Sequence, residues 1–289
     1  IKKLRWEIAR LRNMYHVENA PSVTDDVYDS LTRELKALLS KYPQFEDVNM
    51  PENRVAGKPL LKFIKVKHQT RMLSLNDAFS YEELYDWEAR VKKLLAADAK
   101  FNYFGEVKFD GLAVSLIYEK GKFVRGATRG DGFVGEDITQ NLKTINSIPL
   151  ALDSPLKGGL RGIVPEFLEI RGEVVMSKQT LISLNKKNVK EGNPIFSNTR
   201  NAAAGSMRQL DPKLAAERHL DFFAYDIAEI REARPNMLSL ASNPHTHSAK
   251  HGILRDLGFK VDEHESVCGN LEEVITFIKK FEKIRPNFP

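Results

Sequence analysis

Only one cysteine, Cys268, occurs in 289 residues, so the chain can form neither an internal disulfide framework nor a cysteine zinc site. A single thiol fits a reducing compartment, and a cytoplasmic protein is expected. No apolar run approaches the roughly 20 residues that cross a bilayer, which argues against a membrane role. The chain opens at Ile1 without an initiator methionine or a signal-peptide pattern, as an internal fragment would. No internal repeat and no low-complexity tract is present, which excludes solenoids and fibrous architectures. Neither charge dominates. The formal net charge of +5 suits a polyanionic partner without requiring one. What remains is a globular chain long enough to bury a sizeable core and to divide into two units.

Hydrophobic spacing orders the chain. Ile1, Leu4, Ile8, Leu11 and Met14 recur at intervals of three and four, one face of a helix. A turn is expected at ENAPSVT. A second helix then carries Val27, Leu31, Leu35 and Leu38 on one side and stops before Pro43. Residues 1–50 therefore read as a small helical unit, 51–75 as a connecting segment, and 76–289 as a larger domain. Ser80 and Glu83 form a capping box for a helix whose buried stripe is Leu84, Trp87 and Val91. From Phe101 the period changes to two, predicting at least three strands with a hairpin turn at Glu119-Lys120-Gly121-Lys122. Further strands are expected at Phe167–Met176 and Leu220–Ile230. Helices are expected after Ser177, near Thr199, near Ser248 and after Asn270, the last with a second capping box to Glu273. Strands and helices without strict alternation predict an α+β fold with largely antiparallel sheets and flanking helices.

Four segments carry chemistry. In Glu106-Val107-Lys108-Phe109-Asp110-Gly111, a strand would point Glu106, Lys108 and Asp110 to one face and Val107 and Phe109 into a core. Such a triplet is either a solvated salt-bridge strip or a functional group at the start of the buried strand LAVSLIY. In ATRGDGFVGEDIT, glycines at 126, 130, 132 and 135 surround Arg129, Asp131, Glu136 and Asp137. Glycine admits close approach of backbone to a ligand, and a helix after Gly135 could receive an anion; an ordinary glycine-rich hairpin is the alternative. In LEIRGEVV, Glu169, Arg171 and Glu173 alternate with apolar residues, giving a strand whose carboxylates could hold a metal or a ribose hydroxyl. In FSNTRNAAAGSMRQLDP, Arg200 and Arg208 flank a small-residue segment. They serve as phosphate forks or as surface charges on a short helix.

The tetrapeptide KFDG resembles the K-x-D-G lysine motif of the covalent nucleotidyltransferases. With ATRGDG..GEDIT, RGEV, NPIFSNTRNAAAGSMRQLD and FFAYDI in this order, the chain resembles the NAD⁺-dependent bacterial DNA ligases over essentially its whole length. YHVENAPSVTDDVYD resembles the family's nicotinamide-mononucleotide recognition segment, which ATP-dependent relatives lack.

The resemblance implies a nucleotidyltransferase domain over 76–289, cut short at its C-terminal end. It implies Lys108 as the nucleophile that takes AMP from NAD⁺, with Asp110 beside it. Tyr15, His16, Asp25, Asp26, Val27, Tyr28 and Asp29 would meet the nicotinamide nucleotide. The adenylyl half would meet Ser74, Leu75, Glu106, Arg129, Glu173 and Tyr225, the last stacking on adenine. Arg200, Arg208 and Arg285 would bring cations to phosphate or DNA. A free lysine amine is almost wholly protonated at neutral pH, so Mg²⁺ and converging cations would be needed to favour its neutral form. No metal ligand is assigned. Two further family lysine motifs, of types DGVVIK and AFKFP, are absent, so weak self-adenylation is expected of these residues alone. Nicked double-stranded DNA is the implied substrate, in replication and repair, of a monomeric enzyme. An ATP-dependent ligase or capping-type enzyme, and a non-catalytic DNA-binding module, are the competing readings.

Overall fold

The computed structural model describes residues 1–16, 23, 25–45, 62–96, 98–152, 164–231 and 246–288; most of the expected turn at 18–24 and residues 51–61 of the expected connecting segment lie outside them. In chain order the elements are α1 (Lys2–His16), α2 (Asp25–Lys41), β1 (Lys65–Lys67), α3 (Tyr81–Leu94), β2 (Tyr103–Gly105), β3 (Leu112–Glu119), β4 (Lys122–Thr128), β5 (Val134–Glu136), α4 (Thr139–Leu142), β6 (Phe167–Val175), α5 (Lys178–Glu191), α6 (Thr199–Met207), α7 (Pro212–Ala216), β7 (Asp221–Arg231), α8 (His247–Asp256), β8 (Ser266–Cys268) and α9 (Leu271–Ile284). The fold is α+β, and every strand pair among them is antiparallel. Contacts divide the chain into two compact units, Ile1–Met72 with Phe109–Val261, and Leu73–Lys108 with Asp262–Pro289.

In the first unit, Ile8, Leu35 and Leu39 form the centre of the helical pair, with Ile1, Leu4, Tyr28 and Leu31 packed against it. The α1 face is the expected one. The α2 face is not: Val27 is 45% exposed. Leu31, Leu35 and Leu39 recur at intervals of four, and Tyr28, three residues before Leu31, completes the packed face in place of Val27, four before it.

The main sheet has the order β4-β3-β6-β7. Its β3–β4 hairpin turns through Lys120 (φ 48°) and Gly121 (φ 73°), the paired left-handed conformations of a two-residue turn matched to strand twist. One face is apolar. Val114, Leu116 and Tyr118 of β3 join Leu168, Ile170, Val174, Phe222 and Ala224 in a core completed by residues from α4, α6 and α8. The other face carries Ser115, Glu169, Arg171 and Glu173, and here the sequence reading needs correcting. Glu169 is fully buried and Arg171 nearly so, leaving β6 buried on both faces over most of its length. The Glu169 carboxylate accepts a 2.8 Å hydrogen bond from Ser115 Oγ and lies 4.0 Å from the Arg171 guanidinium. Arg171 also donates to the Thr70 carbonyl at 3.0 Å. A two-stranded ribbon, β1 with β5, brings residues 65–70 over this polar face, and a small cavity lies beneath, lined by Lys67, His68, Gln69, Ser115, Arg125 and Glu169 among others.

In the second unit, β2 pairs with β8, and α3 and α9 accompany them. Both capping boxes form. Ser80 Oγ accepts from Glu83 N at 3.3 Å while the Glu83 carboxylate accepts from Phe79 N at 2.8 Å. Asn270 Oδ1 accepts from Glu273 N at 2.9 Å and the Glu273 carboxylate from Gly269 N at 2.8 Å. The expected buried stripe of α3 is only half-buried, and Trp87 is 43% exposed. A unit this small cannot enclose a whole helix face. Trp87 instead leans on Tyr103, ring centroids 6.0 Å apart.

Candidate functional site

A single register line crosses the main sheet at one end. The Arg129 N–H, just past β4, donates to the Ala113 carbonyl at 3.0 Å. Ala113 pairs with Glu173 on β6, and Glu173 pairs with Phe223 on β7. Directly opposed residues in antiparallel strands project to the same face, so Ala113, Glu173 and Phe223 share a surface.

The lysine motif enters at this end. Residues 106–110 are not a strand, contrary to expectation; pairing begins at Leu112. The reason lies in Gly111, where a Cβ would stand 2.1 Å from the Val174 carbonyl oxygen: the chain meets β6 by close approach before it joins the ladder. Lys108 is exposed on this irregular segment, and Glu106 is half-buried. Val107 and Phe109 are half-buried rather than core residues. Phe109 stacks on Phe223 with centroids 4.3 Å apart and planes 20° from parallel. Asp110 Oδ1 accepts from Arg200 Nη1 at 2.9 Å, an exposed ion pair. The Gly111 N–H donates to Glu173 Oε1 at 3.1 Å. Phe109, Asp110 and Gly111 are thereby bound to Phe223, Arg200 and Glu173 in turn.

Tyr225 owes its placement to a β-bulge. Arg171 pairs with Asp226 and Gly172 with Ala224, leaving Tyr225 as one of two extra residues of β7, the other being Ala228. Bulges re-aim a side chain relative to regular alternation. Burial first, and then the Glu173 charge, push the Tyr225 phenol up to about 12 against the opposing pull of Arg171 and Arg129. The phenol therefore lies within electrostatic reach of both Glu173 and Arg129.

The glycine-rich loop differs from its sequence reading. Gly135 is followed by no helix that could receive an anion: residues 134–136 are β5, and α4 is four residues long, its Thr139 N–H donating to Asp137. Gly130 (φ 57°) and Gly132 (φ 90°) take left-handed conformations that make a tight turn. The Asp131 carboxylate accepts from Val134 N at 2.8 Å and Phe133 N at 2.9 Å. These bonds hold its pKa below the usual range and commit it to closing the turn.

Arg208 caps the end of α6, 4.0 Å from Glu136, so it stands apart from Arg200 in its ion pairing. Arg285 opens a short 3₁₀ turn after α9. Ser74 and Leu75 are exposed in an irregular stretch. Tyr15 and His16 fall at the end of α1, and Asp25, Asp26 and Asp29 in the first turns of α2; their side chains lie outside the described residues. Tyr28 packs against the helical core.

One residue was not singled out from the sequence. His68 Nε2 lies 3.1 Å from the Arg129 carbonyl oxygen, and its backbone N–H donates to the Phe133 carbonyl at 2.9 Å. Only the pairing of β1 with β5, across some seventy residues of sequence, brings it there.

Two family models match. Residues 60–289 match the NAD-dependent DNA ligase adenylation domain, and residues 1–56 match the DNA ligase-like N-terminal NAD+-binding domain. Among curated proteins, the DNA ligase of Brevibacillus brevis is 45% identical over 289 residues, and those of Halalkalibacterium halodurans and Bacillus subtilis are 43% identical over 289 and 288 residues. Each alignment covers 100% of this chain and 40% of the relative, so the chain spans well under half the length of the curated relatives it matches.

Proposed function

The chain belongs to the NAD-dependent DNA ligase family, and from that premise we propose that it takes AMP from NAD⁺ onto Lys108 as the first step in sealing nicked DNA. The Lys108 amine, in its neutral form, attacks the adenylyl phosphorus. A P–N bond forms, the P–O bond to nicotinamide mononucleotide breaks, and the amine proton passes to solvent. AMP then moves to the 5′-phosphate at a nick, and the adjacent 3′-hydroxyl displaces it.

In this proposal residues 1–50 hold the nicotinamide nucleotide through Tyr15, His16 and the segment Asp25–Asp29. Residues 51–75 connect to the adenylation domain at 76–289. The observation that carries the reading is the register line Arg129–Ala113–Glu173–Phe223 with the residues after Lys108 bound to it. Arg129 and Glu173 then serve the ribose and phosphate. Tyr225 is assigned to stacking on adenine, and Glu106, Ser74 and Leu75 to contacts with adenosine. Arg200 is assigned to phosphate, because its partner Asp110 lies two residues from the nucleophile. Arg208 and Arg285 are left to phosphate or DNA.

Mg²⁺ would neutralise phosphate charge when bound. The carboxylates at the line do not fit it as they stand, since Asp110 is paired with Arg200 and Glu173 holds the Gly111 N–H. No ligand and no step is therefore assigned to it. Among the described residues no helix is long and apolar enough to cross a membrane; we propose a monomer acting in the cytoplasm. The test is intact-mass analysis of the full-length protein after exposure to NAD⁺ and Mg²⁺. A gain of one adenylyl group, lost in Lys108→Ala, is expected. No gain in the wild type, or the same gain in the variant, refutes the proposal.

A further inference from the structure

We infer that His68 is a positioning residue for NAD⁺ binding, holding the backbone of Arg129 so that its guanidinium is presented to the nucleotide. The inference rests on the functional reading above.

Arg129 is gripped on both sides of its own main chain. Its N–H is fixed by the Ala113 carbonyl, and through Ala113 by the β3–β6 register that also sets Glu173. Its carbonyl lies 3.1 Å from His68 Nε2, and a carbonyl can only accept, so Nε2 carries the proton. The same histidine anchors the far side of the turn, its backbone N–H donating to Phe133. The Arg129 carbonyl also accepts from the Gly132 N–H at 3.0 Å, which closes the turn from within, so the His68 ring is the side-chain contact that ties this carbonyl to the covering ribbon. The turn needs such a clamp. Gly130 and Gly132 remove the steric limits that would otherwise fix its conformation, and glycine-rich backbone loses the most freedom on ordering. The Asp131 carboxylate ties only the interior of the turn, to Phe133 and Val134. Of the side chains described, His68 is the one bonded to the Arg129 carbonyl.

Reach separates this role from simple packing. A glutamine at 68 can place an amide N–H where Nε2 stands, whereas an asparagine is about one bond too short. NAD⁺ affinity of the chain is measured by titration calorimetry, with melting temperature alongside. We expect His68→Gln to bind like the wild type and His68→Asn to bind about three- to tenfold more weakly, the cost of one lost neutral hydrogen bond. In an Arg129→Ala background the His68→Asn loss should vanish, because the residue acts through Arg129. If the wild type does not bind NAD⁺, the functional reading fails and this inference with it. If the wild type binds, the inference alone is overturned by any of three results: unchanged affinity in His68→Asn, an undiminished His68→Asn loss without Arg129, or a folded His68→Gln that binds poorly.

Discussion

Replacing Arg200 by alanine separates a structural from a functional arginine. Its visible partner is Asp110, at 2.9 Å, with side chains 56% and 71% exposed. An ion pair so open to solvent contributes about 0.2–1 kcal/mol. For a unit of this size that amounts to a melting shift of roughly 4 °C at most. The helix around it is secured independently, by the Asn198 cap and by buried Ala202, Ala203 and Met207. Binding should respond far more strongly. A charge-assisted contact from guanidinium to phosphate contributes about 1.5–3 kcal/mol, which corresponds to roughly 10- to 150-fold in NAD⁺ affinity. Calorimetric titration with NAD⁺ and a thermal melt on the same preparation read both quantities. Arg200→Lys should recover only part of the loss, since an ammonium cannot bind two oxygens in one plane. Unchanged affinity in Arg200→Ala would mean that the arginine serves Asp110 alone. A large fall in melting temperature would mean that its task is structural.

Two further outcomes follow from the sheet. Ser115→Ala withdraws the hydroxyl from Glu169, whose side chain is 1% exposed and whose second carboxylate oxygen has no hydrogen-bond partner among the described residues. A loss of about 1–3 kcal/mol, or roughly 2–12 °C, is expected by calorimetry; a melt within 1 °C or so of the wild type would contradict the buried-carboxylate reading. Tyr225, with its phenol pushed up to about 12 against an ordinary value of 10, keeps its proton in the folded chain where the unfolded chain loses it. Its stabilising contribution is complete below about pH 10 and disappears as pH rises towards about 12. Tyr225→Phe should therefore show a shallower decline of melting temperature across that window, and an identical decline would exclude the phenol as its source.

Local patterns were legible in the sequence wherever short-range physics decides. The capping residues Ser80, Ser177 and Asn270 announced their helices, and alternation announced β3, β6 and β7. The lysine motif is legible in its residues but not in its backbone, because the close approach at Gly111 depends on where β6 passes. The charged alternation of β6 suggested an open face, and only the covering ribbon of β1 and β5 reveals that Glu169 and Arg171 are enclosed. Trp87 and Val27 were assigned to buried stripes by spacing alone, which cannot say how much partner surface is available. His68 had no local signal at all. Its neighbour in space, Arg129, is sixty-one residues away.

The extra residue at 225 also bears on how β7 can change. Phe222 and Ala224 point inward on one side of Tyr225, and Ile227 points inward on the other, an odd interval that only the insertion reconciles. Deleting residue 225 would leave Phe222, Ala224 and Ile227 all inward in a regular local ladder and remove only the side chain the bulge presents, whereas a deletion at a regularly paired position would turn one half of the strand inside out. At the bulge, then, strand length can change without inverting the core, and what a deletion there would forfeit is Tyr225 itself.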